Sequence, residues 1–238
     1  MSASAPLPSD SWLAEQLAWA YGYSGFGTPG ETYPWDYQLP GDSVRGGIRR
    51  FPELGIQLRL WPGTEDPHEW LLNVSAWPET TQDHPQLGKM PWGFLEGLET
   101  ASALLDAELD PGLGVVDVAH SRGCPHAVVN ALISQVRSRW VLLMGSPRPG
   151  TMDLVRAWQG ARIPGISYRT VNLHDRREVD VVTKVPFYVP GAAPFCPVMP
   201  WTDLEVQPDP NDRWMMLALH HEDTMYLPGI KAREGAGR

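Results

Sequence analysis

Five residues, Ala119-His120-Ser121-Arg122-Gly123, have the types and spacing from which chemistry could come. A serine hydroxyl is a weak nucleophile until a base takes its proton, and it must stand clear of the backbone to reach a substrate. Ahead of it "GVVDVAH", residues 114–120, reads as a buried strand. Behind it "PHAVVNALISQVRSR", residues 125–139, reads as a helix that tolerates Pro125 in its first turn. Small residues two before and two after the serine match the G-x-S-x-G spacing of a nucleophile turn, with alanine in the first glycine position. So tight a turn needs small flanking residues. In return the hydroxyl stands near a helix N-terminus, where the Arg122 N–H would face a developing oxyanion. The same five residues also read as an ordinary strand-to-helix turn with Ser121 as N-cap.

The surrounding elements decide whether such a serine could be positioned. "SDSWLAEQLAWAYGY" offers Ser9 or Asp10 as N-cap, apolar residues at helical spacing, and Gly22 as a stop. "GGIRRF", "GIQLRLW" and "EWLLNVSAW" are short aromatic and β-branched runs between turns and predict strands. "GFLEGLETASALLDAEL" predicts a helix with Phe94, Leu98, Ala101, Leu104 and Leu105 on one face. "WVLLMGS" is continuously apolar, as parallel strands are. "TMDLVRAWQGA" predicts a helix and "ISYRTVN" a strand, and from Pro186 to Trp214 the chain reads as loop. Helix and strand alternate from residue 93 onward, which is an α/β pattern with a mostly parallel sheet.

Composition narrows the function classes. The formal net charge of −9 argues against a nucleic-acid partner, since it offers no basic footprint. The two cysteines, Cys124 and Cys196, are too few for a disulfide framework and are expected to be reduced and buried. No metal-ligand cluster and no phosphate-binding loop is found, so no cofactor or metal is expected. The N-terminus lacks the basic and apolar regions of a signal peptide, and no run reaches transmembrane length. A single domain over residues 1–238 is expected, made in the cytoplasm, with loose termini at 1–8 and 231–238. The oligomeric state is left open.

Neighbouring motifs add to the serine. Gly93-Phe94, then Ala119 to Gly123, then Gly145-Ser146-Pro147-Arg148-Pro149-Gly150, then Arg169 to Asn172, then Asp180-Val181-Val182-Thr183-Lys184-Val185-Pro186 stand in a fixed order. This set, over roughly residues 70–227, resembles the class 3 lipases of the α/β-hydrolase superfamily, here a divergent, short-lid member of phage or bacterial kind. The resemblance implies an α/β-hydrolase-type, mostly parallel central sheet with helices on both faces. It implies a nucleophile at Ser121 and an acid at Asp180, which keeps the D-x-V-x-x-V-P frame. Asp175 is the reserve, because the family's aspartate usually follows the asparagine closely and "HDRREV" is inserted here. Without the resemblance, Asp175 reads as a turn residue and Asp180 as a loop cap.

The family's base comes last in the chain, which selects "LALHHEDTMYL": His221 by its spacing to Tyr226, with His220 in reserve. His120 is expected to pack, and His68, His84, His126 and His174 to lie on the surface. The family's second oxyanion donor comes from an F-R-G-T frame. Matching it to "NVSAWPE" puts Trp77 there through its backbone N–H, with Ser75 as a side-chain alternative.

The implied activity is hydrolysis of a small-molecule ester or lipid through an acyl-enzyme. The gap before Gly93, "PETTQDHPQLGKMPW", is short, mostly polar and without an amphipathic stripe, so an esterase-like site without strong interfacial activation is expected. Two other readings stand beside it. One is a phage-type esterase of lipid-decorated cell wall, released by host lysis. The other is a decayed hydrolase fold used in binding or assembly.

Overall fold

The computed structural model describes residues 6–20, 35–40, 44–63, 81–172, 180, 182–184, 196–206 and 223–237. Its centre is a seven-stranded sheet in the order β1-β2-β3-β6-β7-β8-β9. The strands are β1 (Tyr37–Gln38), β2 (Gly47–Phe51), β3 (Ile56–Trp61), β6 (Gly114–His120), β7 (Ser138–Met144), β8 (Gly165–Asn172) and β9 (Trp201–Val206). The pairings from β3 to β9 are parallel, and β1 and β2 are added antiparallel at one edge. A separate hairpin pairs β4 (Thr81–His84) with β5 (Gly88–Pro91).

Side chains alternate across the sheet, and each face has its own core. Ile56, Leu58 and Leu60 of β3 and Val116 and Val118 of β6 meet helix α1 (Asp10–Ala20) and the C-terminal helix α5 (Asp223–Gly235). Trp61, Ala119, Val141 and Leu143 meet α2 (Leu98–Glu108), α3 (Gly123–Ile133) and α4 (Met152–Ala161) on the other face. The expected α/β architecture with helices on both faces is what the chain adopts. Among the described residues no helix is long and apolar enough to cross a membrane.

Several boundaries differ from the sequence reading, each for a local reason. α2 starts at Leu98, not Gly93, because Gly97 takes φ +71 and cannot continue a helix begun earlier; Leu104 lies on its exposed side. α3 stops at Ile133, where Ser134 turns extended and its hydroxyl takes the Val136 N–H. β9 lies in the stretch read as loop. There Arg169 of β8 pairs with Asp203 at 2.6 Å and sits over the Trp201 ring.

The C-terminal segment, expected to be loose, is helical as far as Gly235. Its Glu234 accepts the Ser11 N–H (3.1 Å) and hydroxyl (2.5 Å) at the start of α1, and Lys231 pairs with Glu15 at 2.6 Å. Ser9 caps α1 as expected, accepting the Trp12 N–H at 3.2 Å. The strand expected at "EWLLNVSAW" lies outside the described residues.

Candidate active site

β6 ends at His120 and α3 begins at Gly123, so Ser121 occupies the corner between them. Its φ is +53, a left-handed conformation that a residue with a Cβ adopts only when its surroundings force it. Its N–H donates to the Met144 carbonyl of β7 at 3.0 Å, and its own carbonyl accepts from Cys124 N–H at 3.0 Å. The residue at the helix N-cap is Arg122, and no side chain caps this end, so Ser121 is not the N-cap of the plainer reading.

The corner needs its glycine. A Cβ on Gly123 would stand 2.1 Å from the Trp61 carbonyl oxygen and 2.5 Å from that of Pro62. Ala119 is fully buried between Trp61 of β3 and Leu143 of β7, its partners in the two flanking ladders.

The end of β3 forms the wall beside the serine. A Cβ on Gly63 would lie 2.8 Å from Ser121 Cβ and 3.3 Å from its Oγ. In sequence, Trp61-Pro62-Gly63-Thr64 also matches the F-R-G-T frame, with the glycine and threonine intact. Ser75 and Trp77 lie outside the described residues.

Arg122 has its N–H at the first turn of α3, and its guanidinium donates to the Gly93 carbonyl at 3.3 Å. Burial lowers the pKa of that guanidinium; neighbouring Glu96 opposes the shift and Arg45 adds to it.

Asp180 is fully buried. One carboxylate oxygen accepts the Val182 N–H at 2.8 Å, as a loop cap would, and the other accepts the Tyr226 hydroxyl at 2.5 Å. Tyr226 is pushed well above its ordinary pKa, first by burial, then by the Asp180 charge and their hydrogen bond, so it remains a donor. Its ring packs edge-on to His120 at 5.9 Å, which links the carboxylate to the residue beside the serine. His120 thus packs, as expected.

The candidate bases His221 and His220, the reserve acid Asp175, and His68 and His174 lie outside the described residues. His126, expected on the surface, is buried. Burial first and the Arg122 charge second push its pKa down to about 3, so it is neutral. His84 is partly exposed, with Glu99 at 4.0 Å. Cys124 is buried as expected, and Cys196 only half-buried. Among the described residues no group of three or more His, Cys, Asp or Glu side chains could hold a metal ion.

No family model and no curated relative matches the chain. Solved structures do. MDLA of Penicillium cyclopium, in a mutant form, is similar at 16% identity, with a TM-score of 0.61 over 84% of this chain and 80% of that one. The triacylglyceride lipase of Rhizomucor miehei is similar at 20% identity and TM-score 0.54, over 75% and 74% of the two chains. A triacylglycerol lipase described as having a serine protease triad as its catalytic centre is similar at 19% and 0.54, again over 75% and 74%. At these identities what is shared is the fold, and that fold is of the α/β-hydrolase type. Penicillium and Rhizomucor are fungi, and the expected phage or bacterial kinship draws no support from them.

Proposed function

We propose that this chain is a serine hydrolase of carboxylic esters, lipase- or esterase-like. The observation that carries the reading is Ser121 held at φ +53 between a parallel strand and a helix, with Gly63 against its side chain. A turn serving only to connect two elements gains nothing from a left-handed serine, whereas a nucleophile gains a hydroxyl clear of its own backbone.

The roles follow. Ser121 is the nucleophile and His221 the base, with His220 in reserve. Asp180 is the acid, with Asp175 in reserve. The base takes the serine proton as the hydroxyl attacks the ester carbonyl, and then returns it to the leaving alcohol. Water releases the acyl-enzyme by the same route. Arg122 N–H is one oxyanion donor. For the second we replace Trp77 with the position that follows Gly63 in the chain, Thr64. The lipase activity of similar structures favours lipid or other ester substrates. The hairpin β4–β5 in the gap before Gly93 favours substrates that need no helical lid.

Intact-mass labelling with a fluorophosphonate, on the native protein and on Ser121→Ala, tests this. One adduct on the native chain and none on the variant is the expected result. No adduct on a folded native protein overturns the reading and favours a hydrolase fold used for binding.

A further inference from the structure

Beneath the serine corner lies a charged cluster that the roles above leave unused. Arg59 of β3 and Asp117 of β6 are both fully buried and face each other directly in the ladder. Arg59 Nε and Nη2 grip the two Asp117 oxygens at 3.0 and 2.9 Å. The same carboxylate accepts the Trp61 indole N–H (2.9 Å) and the Ser138 hydroxyl (2.5 Å). The far end of the guanidinium reaches Ser134 Oγ at 2.8 Å and Asp106 at 3.3 Å, which brings in α2 and the end of α3. With its amide turned to satisfy both neighbours, Asn130 accepts from Arg59 at 2.9 Å and donates to Ser102 at 2.7 Å.

A buried ion pair is a poor device for stability alone, since apolar residues of the same volume serve as well or better. What it adds is direction, because a bidentate pair admits one relative placement of its two strands. That placement is passed along β3. Trp61, two residues beyond Arg59, is tied by its indole to Asp117. The carbonyls of Trp61 and Pro62 abut Gly123, and Gly63 abuts Ser121.

We propose that Arg59 and Asp117 are positioning residues for the reaction at Ser121. Through the Trp61 indole they set the gap between the end of β3 and the serine corner, where the oxyanion must fit. The inference rests on the serine-hydrolase reading.

The test compares Trp61→Phe, which removes the indole N–H and keeps the ring, with Ser138→Ala, which from the β7 side removes a donor to the same carboxylate and an acceptor for Arg59 Nη2. Thermal unfolding and fluorophosphonate labelling kinetics are measured on both and on the native protein. Both variants are expected to melt lower. Trp61→Phe is expected to label Ser121 at least about tenfold more slowly, in the maximal rate and not in the probe's reversible affinity, because small displacements at a reacting centre are costly. Ser138→Ala is expected to label within about twofold of the native rate, since it leaves the two Arg59–Asp117 bonds and the Trp61 indole bond in place. Native labelling with an unchanged rate in Trp61→Phe overturns the inference and leaves the hydrolase reading standing. Equal slowing in both variants also overturns it, as ordinary destabilisation. No native adduct removes both.

Discussion

Ser121 holds a conformation that costs about 1–3 kcal/mol for a residue with a side chain, so its surroundings must over-determine it. Two backbone hydrogen bonds and two glycines do so. The glycines are not equivalent. A methyl on Gly123 would meet backbone carbonyls from two residues, and neither can yield without moving β3 away from α3. A methyl on Gly63 would meet the Ser121 side chain, with His120 Nδ1 at 3.5 Å. Gly63→Ala is therefore expected to fold with a loss of about 1–3 kcal/mol, as overpacked sites do, while displacing the nucleophile. Its fluorophosphonate labelling should fall by about 10²-fold. A Gly63→Ala protein that labels at the native rate would show that this wall does not define the reactive position.

Between elements, the contact with most consequence is that of α5 on α1. α5 supplies Tyr226 to Asp180 and leads directly from the segment with the candidate bases, so its seating bears on the whole site. The seat is apolar at one end, where Leu227 and Ile230 join the α1 core and Gly229 lets the helix approach Leu204. At the other end it is polar, where Glu234 takes two hydrogen bonds from Ser11 in the first turn of α1, the end of a helix that favours a carboxylate. Burial raises the pKa of nearby Asp10, the Tyr168 hydroxyl bond opposes that, and Glu234 adds to it. Glu234→Ala is expected to lower stability by about 1–2 kcal/mol, the range for a lost cap with charge-assisted bonds, in urea unfolding. A change near zero would mean that the apolar half of the seat suffices.

For the molecule as a whole, two cores on one sheet give a fold that buries Arg59, Asp117, Asn130 and His126 on the α2–α4 face. His126 makes folding sensitive to pH. In the native state its pKa is about 3, against an ordinary 6.5, so as pH falls below 6.5 the unfolded chain takes up a proton that the native state refuses. Its contribution is complete above 6.5 and declines toward pH 3. Between pH 7.5 and 5 this one group should cost about 2 kcal/mol of unfolding free energy. His126→Phe keeps a ring against Trp61 and should lose about that much less over the same interval, as measured by urea unfolding at the two pH values. Equal pH slopes in the two proteins would place the sensitivity elsewhere.

The sequence by itself determined most of the sheet and the strand-to-helix corner at its end. β2, β3, β6, β7 and β8 and helices α1 and α4 follow from local patterns: apolar runs of strand length, a serine cap, and glycine and proline stops. The corner at Ser121 was legible because a tight strand-to-helix turn constrains five consecutive residues. Only the tertiary structure decided what depends on contacts between distant residues. Gly63 gains meaning from the strand beside it, and Arg59 from Asp117 across the ladder. α5 carries Pro228 and Gly229, which argue against a helix until packing on α1 and β9 holds it. His126 reads as exposed until α3 is seen to be buried along almost its whole length. Local propensity reaches one turn or one strand, while burial and ion pairing belong to the assembled sheet.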